Sequence, residues 1–332
     1  MNSDMGRSSP ITVVDGYVPV INLSSMNTTD GRAAIAQAVG AACETSGFFV
    51  IVDHGVTPGL VDRMYATTLE FFQSPHTEKD RVLATAETGG LRYQAGSAAK
   101  SMGEDTPTDL CEIFSCNVLG DPRPEFRAEF ADDTLPWTRA NLWPRTPAAF
   151  QETWSEYADA MERLAADLME LFALALGLDS DFFTDKIDQH ISTIVANYYY
   201  PPTGRPLPGQ LRKGAHTDWG SLTILYQDDA GGLQVRHGEN WRDVPFVPNS
   251  FVINIGDMMA FWTGGRWVST IHRVCNPPQD AAKARVSIPF FHLPNFDAQI
   301  QQLPSDPAVE EESRSATTPG QWYQEKMAAI YS

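Results

Sequence analysis

The sequence predicts a mainly β core of the sandwich or jelly-roll kind, flanked by helices. Three observations predict it. Beyond Ile191, short apolar runs recur at close spacing, over residues 193–199, 221–226, 233–236, 251–255, 267–274 and 286–291. Gly231-Gly232, Pro248-Asn249 and Gly264-Gly265 punctuate them as turn residues do. Upstream the period changes: Tyr157, Met161, Leu164, Leu168 and Leu171 repeat at helical spacing and form one apolar face.

Taken in order, residues 1–16 are polar and read as a frayed start. Residues 18–23 form a short strand, and Asp30 caps an alanine-rich helix through about Thr45 with Ile35, Val39 and Ala42 inward. Residues 47–52 are a buried strand closed by Asp53-His54-Gly55. Thr57-Pro58 starts a second helix with Pro at its first position, striped by Leu60, Met64, Leu69 and Phe72. The Gly-, Ala-, Ser- and Thr-rich stretch 88–107 is loop, where substrate contacts tend to lie. A long helix spans about 147–176 and precedes the strands. The acidic, proline-containing stretch 304–316 reads as loop, and Thr318-Pro319 opens a last helix whose Trp322 and Tyr323 pack back on the core.

Composition narrows the classes. A length of 332 residues suits one large domain with extensions or two intimately packed lobes, and 42% hydrophobic against 20% charged residues supplies the core. A formal charge of −18 argues against nucleic acid or an anionic membrane as partner. Cys43, Cys111, Cys116 and Cys275 show no CxxC pairing and read as reduced thiols. With no run of 18 apolar residues and no secretory start, the expectation is a soluble cytoplasmic protein of undetermined oligomeric state.

The chemistry is concentrated in a few residues. His216 and Asp218, at i and i+2 on a strand, face one way and can grip one ion together. His272, 54 positions after Asp218, completes a two-histidine, one-carboxylate set that leaves adjacent positions open, as non-haem Fe(II) oxygenases require. A lone His-x-Asp is a common tripeptide and usually a surface or capping feature; the order and spacing of all the parts are more demanding. The ligand types alone also suit zinc. Arg285, 13 positions after His272, favours iron with an oxo-acid, since Arg285 and Ser287 share a strand face and offer a planar fork and a hydroxyl to a carboxylate. His54, His76, His190 and His237 read as structural.

These residues resemble the isopenicillin N synthase-like branch of the 2-oxoglutarate/Fe(II) oxygenases. Residues 18–23 and 47–56 look like that family's N-terminal region, and His216 through Ser287 like its catalytic core. Residues 227–233, Thr263-Gly264-Gly265 and 291–296 look closest to bacterial ethylene-forming enzyme relatives. The chain departs from that branch in having Ala196 where an oxoglutarate-binding arginine stands and Ala98 near the acidic residue that grips an arginine substrate. Cys111 also stands where many plant relatives carry lysine.

The resemblance implies a double-stranded β-helix (jelly roll) holding Fe(II) at its mouth through His216, Asp218 and His272. It implies 2-oxoglutarate as co-substrate on Arg285, Ser287 and Tyr200, with O2 on the remaining site and succinate and CO2 as products. Residues 17–125 would be the N-terminal region, 190–296 the catalytic core, and 126–189 with 297–332 supporting helices and loops. The expected reaction is hydroxylation or desaturation of a small metabolite other than free arginine. Arg92, Tyr93, Phe114, Trp219, Phe290 and His292 are candidate substrate contacts. The alternatives are an oxidase without 2-oxoglutarate, an ethylene former, and a metal-bearing binding protein without turnover.

Overall fold

The computed structural model describes residues 11–14, 17–85, 92–94, 107–118, 140–201, 204–278, 283–303 and 315–331. Most of the 88–107 and 304–316 stretches, Ala98 among them, lie outside the described residues.

Its strands are β1 (Ile11–Val14), β2 (Val18–Asn22), β3 (Phe48–Val52), β4 (Cys111–Asn117), β5 (Thr193–Tyr199), β6 (Lys213–His216), β7 (Leu222–Gln227), β8 (Leu233–His237), β9 (Asn240–Asp243), β10 (Phe251–Ile255), β11 (His272–Val274), β12 (Arg285–His292), β13 (Ile300–Gln301) and β14 (Ala316–Thr317). Its helices are α1 (Thr29–Thr45), α2 (Pro58–Gln73), α3 (His76–Lys79), α4 (Phe150–Ala175), α5 (Thr184–Ile187), α6 (Asp257–Trp262) and α7 (Pro319–Tyr331).

An eight-stranded sheet, in the order β1-β2-β3-β10-β7-β12-β5-β4, faces a four-stranded sheet, β6-β11-β8-β9. This is the jelly roll. Strand parity divides the large sheet between two cores. Phe48, Val50, Cys111, Ile113, Tyr199 and Val252 point between the sheets and meet Leu233, Val235 and Val274 of the smaller one. The alternate residues, among them Phe49, Ile51, Phe114, Ala196, Ile253 and Phe290, point outward into a layer with α1, α2 and α4. Because both faces are covered, β3, β4 and β10 are buried nearly end to end and show no polar alternation.

Several expectations need correction. Thr28, not Asp30, caps α1: its extended backbone lets Oγ1 accept from Gly31 N at 3.2 Å, while Asp30 sits in the first turn. Residues 11–14 are not frayed but pair with β2. The predicted strand over 267–274 is confined to His272–Val274, because Val268 N donates to Cys43 O and Thr270 Oγ1 to Ser46 O, tying this segment to the end of α1. The long helix begins at Phe150, not Pro147, whose carbonyl accepts from Phe150 N in a preceding turn.

Candidate metal centre and oxo-acid pocket

His216 and His272 are paired across β6 and β11, and His272 is in turn opposite Val235. Both imidazoles therefore face the interior, their ring centres 4.3 Å apart. Asp218 lies past the end of β6, not on the strand, so the i, i+2 parity expected for it does not apply. The loop brings its carboxylate in instead: Oδ1 stands 3.7 Å from His216 Nε2 and 3.6 Å from His272 Nε2. The three ligating atoms lie within 4.8 Å of one another.

The surroundings set the chemistry of each group. Thr223 and Asn254, opposite one another on β7 and β10, hold Asp218 Oδ2, Asn254 Nδ2 at 2.7 Å and Thr223 Oγ1 at 2.5 Å. Oδ1 is left for the histidines. His216 Nδ1 faces Gly214 O at 2.8 Å and His272 Nδ1 faces Thr270 O at 3.1 Å, which fixes the tautomer that leaves each Nε2 lone pair toward the centre. Burial, with His272 alongside, pushes the His216 imidazole well below its ordinary pKa and keeps it neutral. Burial pushes the Asp218 carboxyl up, but the two imidazoles and the donors Asn254 and Thr223 outweigh it, and the net direction is down. The neutral His216 imidazole, the inward Nε2 of His272 and an ionised carboxylate suit a divalent transition metal.

Further along the same interior, Arg285 is opposite Tyr199, which is opposite Cys111. The guanidinium lies 5.1 Å from the Tyr199 ring centre, and Ser287 stands two residues on from Arg285 along β12, on the same strand face. Arg285 is 1% exposed and commits Nη2 to Gln227 Oε1 at 3.2 Å, yet its Nε and Nη1 have no partner. Buried guanidinium nitrogens without an acceptor are costly. Nε–H is directed to the Nη2 side and Nη1 to the Cδ side, so the two do not form one fork, but both leave this buried cation short of an anionic acceptor such as a carboxylate.

The interior also carries a cation that the sequence reading missed. A register shift in β6 pairs His216 with His272 and Lys213 with Val274, so both residues face inward although three positions separate them. Asp109 holds this bulge, accepting from Gly214 N at 2.9 Å and pairing with Lys213 Nζ at 3.2 Å. Lys213 acts electrostatically on both His216 and Tyr199.

Residues 191–294 match the 2OG-Fe(II) oxygenase superfamily, and residues 18–146 match the non-haem dioxygenase in morphine synthesis N-terminal family. A homoarginine-6-hydroxylase of Oryza sativa subsp. japonica is 32% identical over 312 residues, covering 91% of this chain and 90% of that protein. The chain belongs to the 2OG-Fe(II) oxygenase superfamily. The validamycin A dioxygenase of Streptomyces hygroscopicus subsp. limoneus is 32% identical to this oxygenase over 298 residues, covering 87% of this chain and 80% of the other. The crystal structure of a full-length Neurospora crassa protein in complex with alpha-KG and thymine superposes with a TM-score of 0.81 at 25% identity, covering 96% of this chain and 98% of that one. The chain is thus a 2-oxoglutarate-dependent dioxygenase, with Fe(II), 2-oxoglutarate and O2 as its reagents.

Other candidate residues are placed differently from expectation. Tyr200 lies past the end of β5, exposed and with its ring against Tyr198, so Tyr199 is the tyrosine beside Arg285. Phe114 and Phe290 do not line the pocket. Both belong to the helix layer, where Phe114 meets Phe71, Phe150 and Trp154. Tyr93 is fully buried against Phe71. His292 is buried at the far end of β12 on Ser221 Oγ, 2.6 Å away. Trp219 packs edge-on against Tyr323 of α7. Arg92 is half-buried beside β4. Ala196 also faces the helices, so its methyl does not bear on the oxo-acid pocket.

His54, His190 and His237 are engaged elsewhere, with Phe251, Glu162 and Tyr17 respectively, and His76 begins α3. A stability measurement separates core from pocket for Phe114. Phe114→Ala should cost about 3–5 kcal/mol in denaturant unfolding, with the 2-oxoglutarate affinity of the folded protein unchanged.

Proposed function

We propose that His216, Asp218 and His272 bind the Fe(II), that Arg285, Ser287 and Tyr199 take the far carboxylate of 2-oxoglutarate, and that the enzyme hydroxylates a small polar metabolite. The observation that carries this reading is the buried Arg285, with two partnerless nitrogens, on the interior face of the sheets that also hold the three ligands. Charge balance supports it. Among the described residues the buried charges around Arg285, with Lys213 and Arg212, are matched by Asp109, Asp218 and Asp228, so a divalent ion and a dicarboxylate enter with equal and opposite charge.

When bound, the metal and oxo-acid supply an oxidant by oxidative decarboxylation, leaving succinate and CO2. The protein's part is placement. Thr223 and Asn254 keep Asp218 Oδ2 occupied so that Oδ1 serves the metal. Tyr199 and Ser287 align the carboxylate end on Arg285, and the apolar wall of Phe48, Val235 and Val274 excludes water.

The substrate reading rests on the same balance. With no net charge left over, a neutral, hydroxyl-rich or otherwise hydrogen-bonding molecule fits. The homoarginine, validamycin A and thymine of the relatives above are likewise small polar molecules. Among the described residues no helix is long and apolar enough to cross a membrane, which accords with a cytoplasmic place for such an enzyme.

The test is an oxygen-uptake screen of polar metabolites with Fe(II) and 2-oxoglutarate, with succinate measured alongside and headspace gas chromatography run with arginine. The expected result is succinate equal to hydroxylated product and little ethylene. Oxygen uptake without succinate would point to an oxidase, and ethylene comparable to succinate to the ethylene-forming reaction.

A further inference from the structure

The ligands come from two separate stretches, 216–218 and 272, whose spacing has to be held. One carboxylate outside the ligand set bridges them. Asp257, the first residue of α6, accepts from Thr217 Oγ1 at 3.1 Å on Oδ2 and from Ser269 Oγ at 2.7 Å on Oδ1. Thr217 stands between two ligands, and Ser269 three residues before the third. The Asp257 backbone joins in, its N donating to Asp218 O at 2.7 Å, and Met258 N donates to Trp219 O at 3.2 Å. Only glycine permits so close a docking of α6 on the ligand loop: a Cβ at Gly256 would lie 2.1 Å from the Gly220 carbonyl oxygen.

The C-terminal helix grips this assembly twice. Lys326 Nζ donates to Asp257 Oδ2 at 2.6 Å, and Trp322 Nε1 donates to Trp219 O at 3.0 Å. The two α7 residues support one another, with the ammonium 5.1 Å from the Trp322 ring centre. The Lys326–Asp257 pair is only partly exposed, at 32% and 18%. Without Lys326 the Asp257 carboxylate keeps two hydroxyl donors but loses its charged one, and charged donors give the stronger bonds.

We propose that Asp257 is a positioning residue for the metal centre and that α7, through Lys326 and Trp322, is a strap that sets metal affinity. The inference rests on reading His216, Asp218 and His272 as the metal ligands. Groups that orient ligands from outside the coordination shell typically change metal affinity by about 10–100-fold when removed.

Full-length Lys326→Met, Lys326→Arg, Asp257→Asn and the double variant, stripped of metal, would be titrated with Co(II) and followed by its visible absorption. The unfolding temperature of each metal-free protein is recorded alongside. Asp257→Asn should weaken Co(II) binding by about 10-fold, Lys326→Met by less, and Lys326→Arg should restore it. The double variant should bind no more weakly than Asp257→Asn, because both changes act through one carboxylate. If Asp257→Asn fails to fold, the Met and Arg variants at 326 decide. Wild-type Co(II) affinity in folded Lys326→Met, or losses that multiply in the double variant, would overturn the proposal. His216→Ala, run in parallel, should lose Co(II) binding altogether, so failure of the strap is distinguished from failure of the metal site.

Discussion

Asp218→Ala should leave a folded protein that neither binds the metal nor turns over. The carboxylate supplies the one anionic ligand, and its Oδ1 is the atom both histidines face, at 3.7 and 3.6 Å. The loss should exceed by far the about 10–100-fold typical of an outer partner. The fold should tolerate the change, because the side chain lies at a loop and the cost is confined to the donors of Thr223 and Asn254, about 1–3 kcal/mol for each that finds no other acceptor. Circular dichroism and thermal unfolding check the fold, and succinate formation checks turnover. Measurable succinate from well-folded Asp218→Ala would remove this residue from the site.

Arg285→Lys should weaken 2-oxoglutarate binding while leaving metal affinity unchanged. Lysine preserves the charge but not the planar set of donors, of which Nε and Nη1 have no partner in the structure. Losing one charged hydrogen bond costs about 1.5–3 kcal/mol, which corresponds to about 10–150-fold in affinity. Calorimetric titration of 2-oxoglutarate into Mn(II)-loaded protein reads this directly. Equal affinity in the two proteins would mean that Arg285 serves another carboxylate, such as one on the substrate itself.

The elements most legible in the sequence were those whose pattern depends on local chemistry. Residues 193–199 and 251–255 are bounded apolar runs, and the observed strands have those limits. The His216, Asp218, His272 and Arg285 set stood out because its spacing is unusual. What stayed hidden depends on tertiary pairing. β4 carries Glu112 and Asn117 and does not read as a buried strand; Lys79 reaches Glu112 at 2.7 Å and makes that burial possible. The inward turn of Lys213 comes from a bulge held by Asp109, 105 residues from the glycine it bonds. Tyr199 cannot be chosen over Tyr198 and Tyr200 until the pairing with Arg285 fixes the parity. The same parity sends Phe114, Phe290 and Ala196 toward the helices, and aromatic or apolar character alone does not distinguish the two faces. Asp257 looks like an ordinary first-turn acid until Thr217, Ser269 and Lys326 are seen to converge on it.

An anaerobic crystal structure with Mn(II) and 2-oxoglutarate tests the central claim most directly. The metal is predicted on His216 Nε2, Asp218 Oδ1 and His272 Nε2, with the far carboxylate of the oxo-acid against the guanidinium of Arg285 and beside Ser287 and Tyr199. A metal held by other side chains, or an oxo-acid bound away from Arg285, would contradict it.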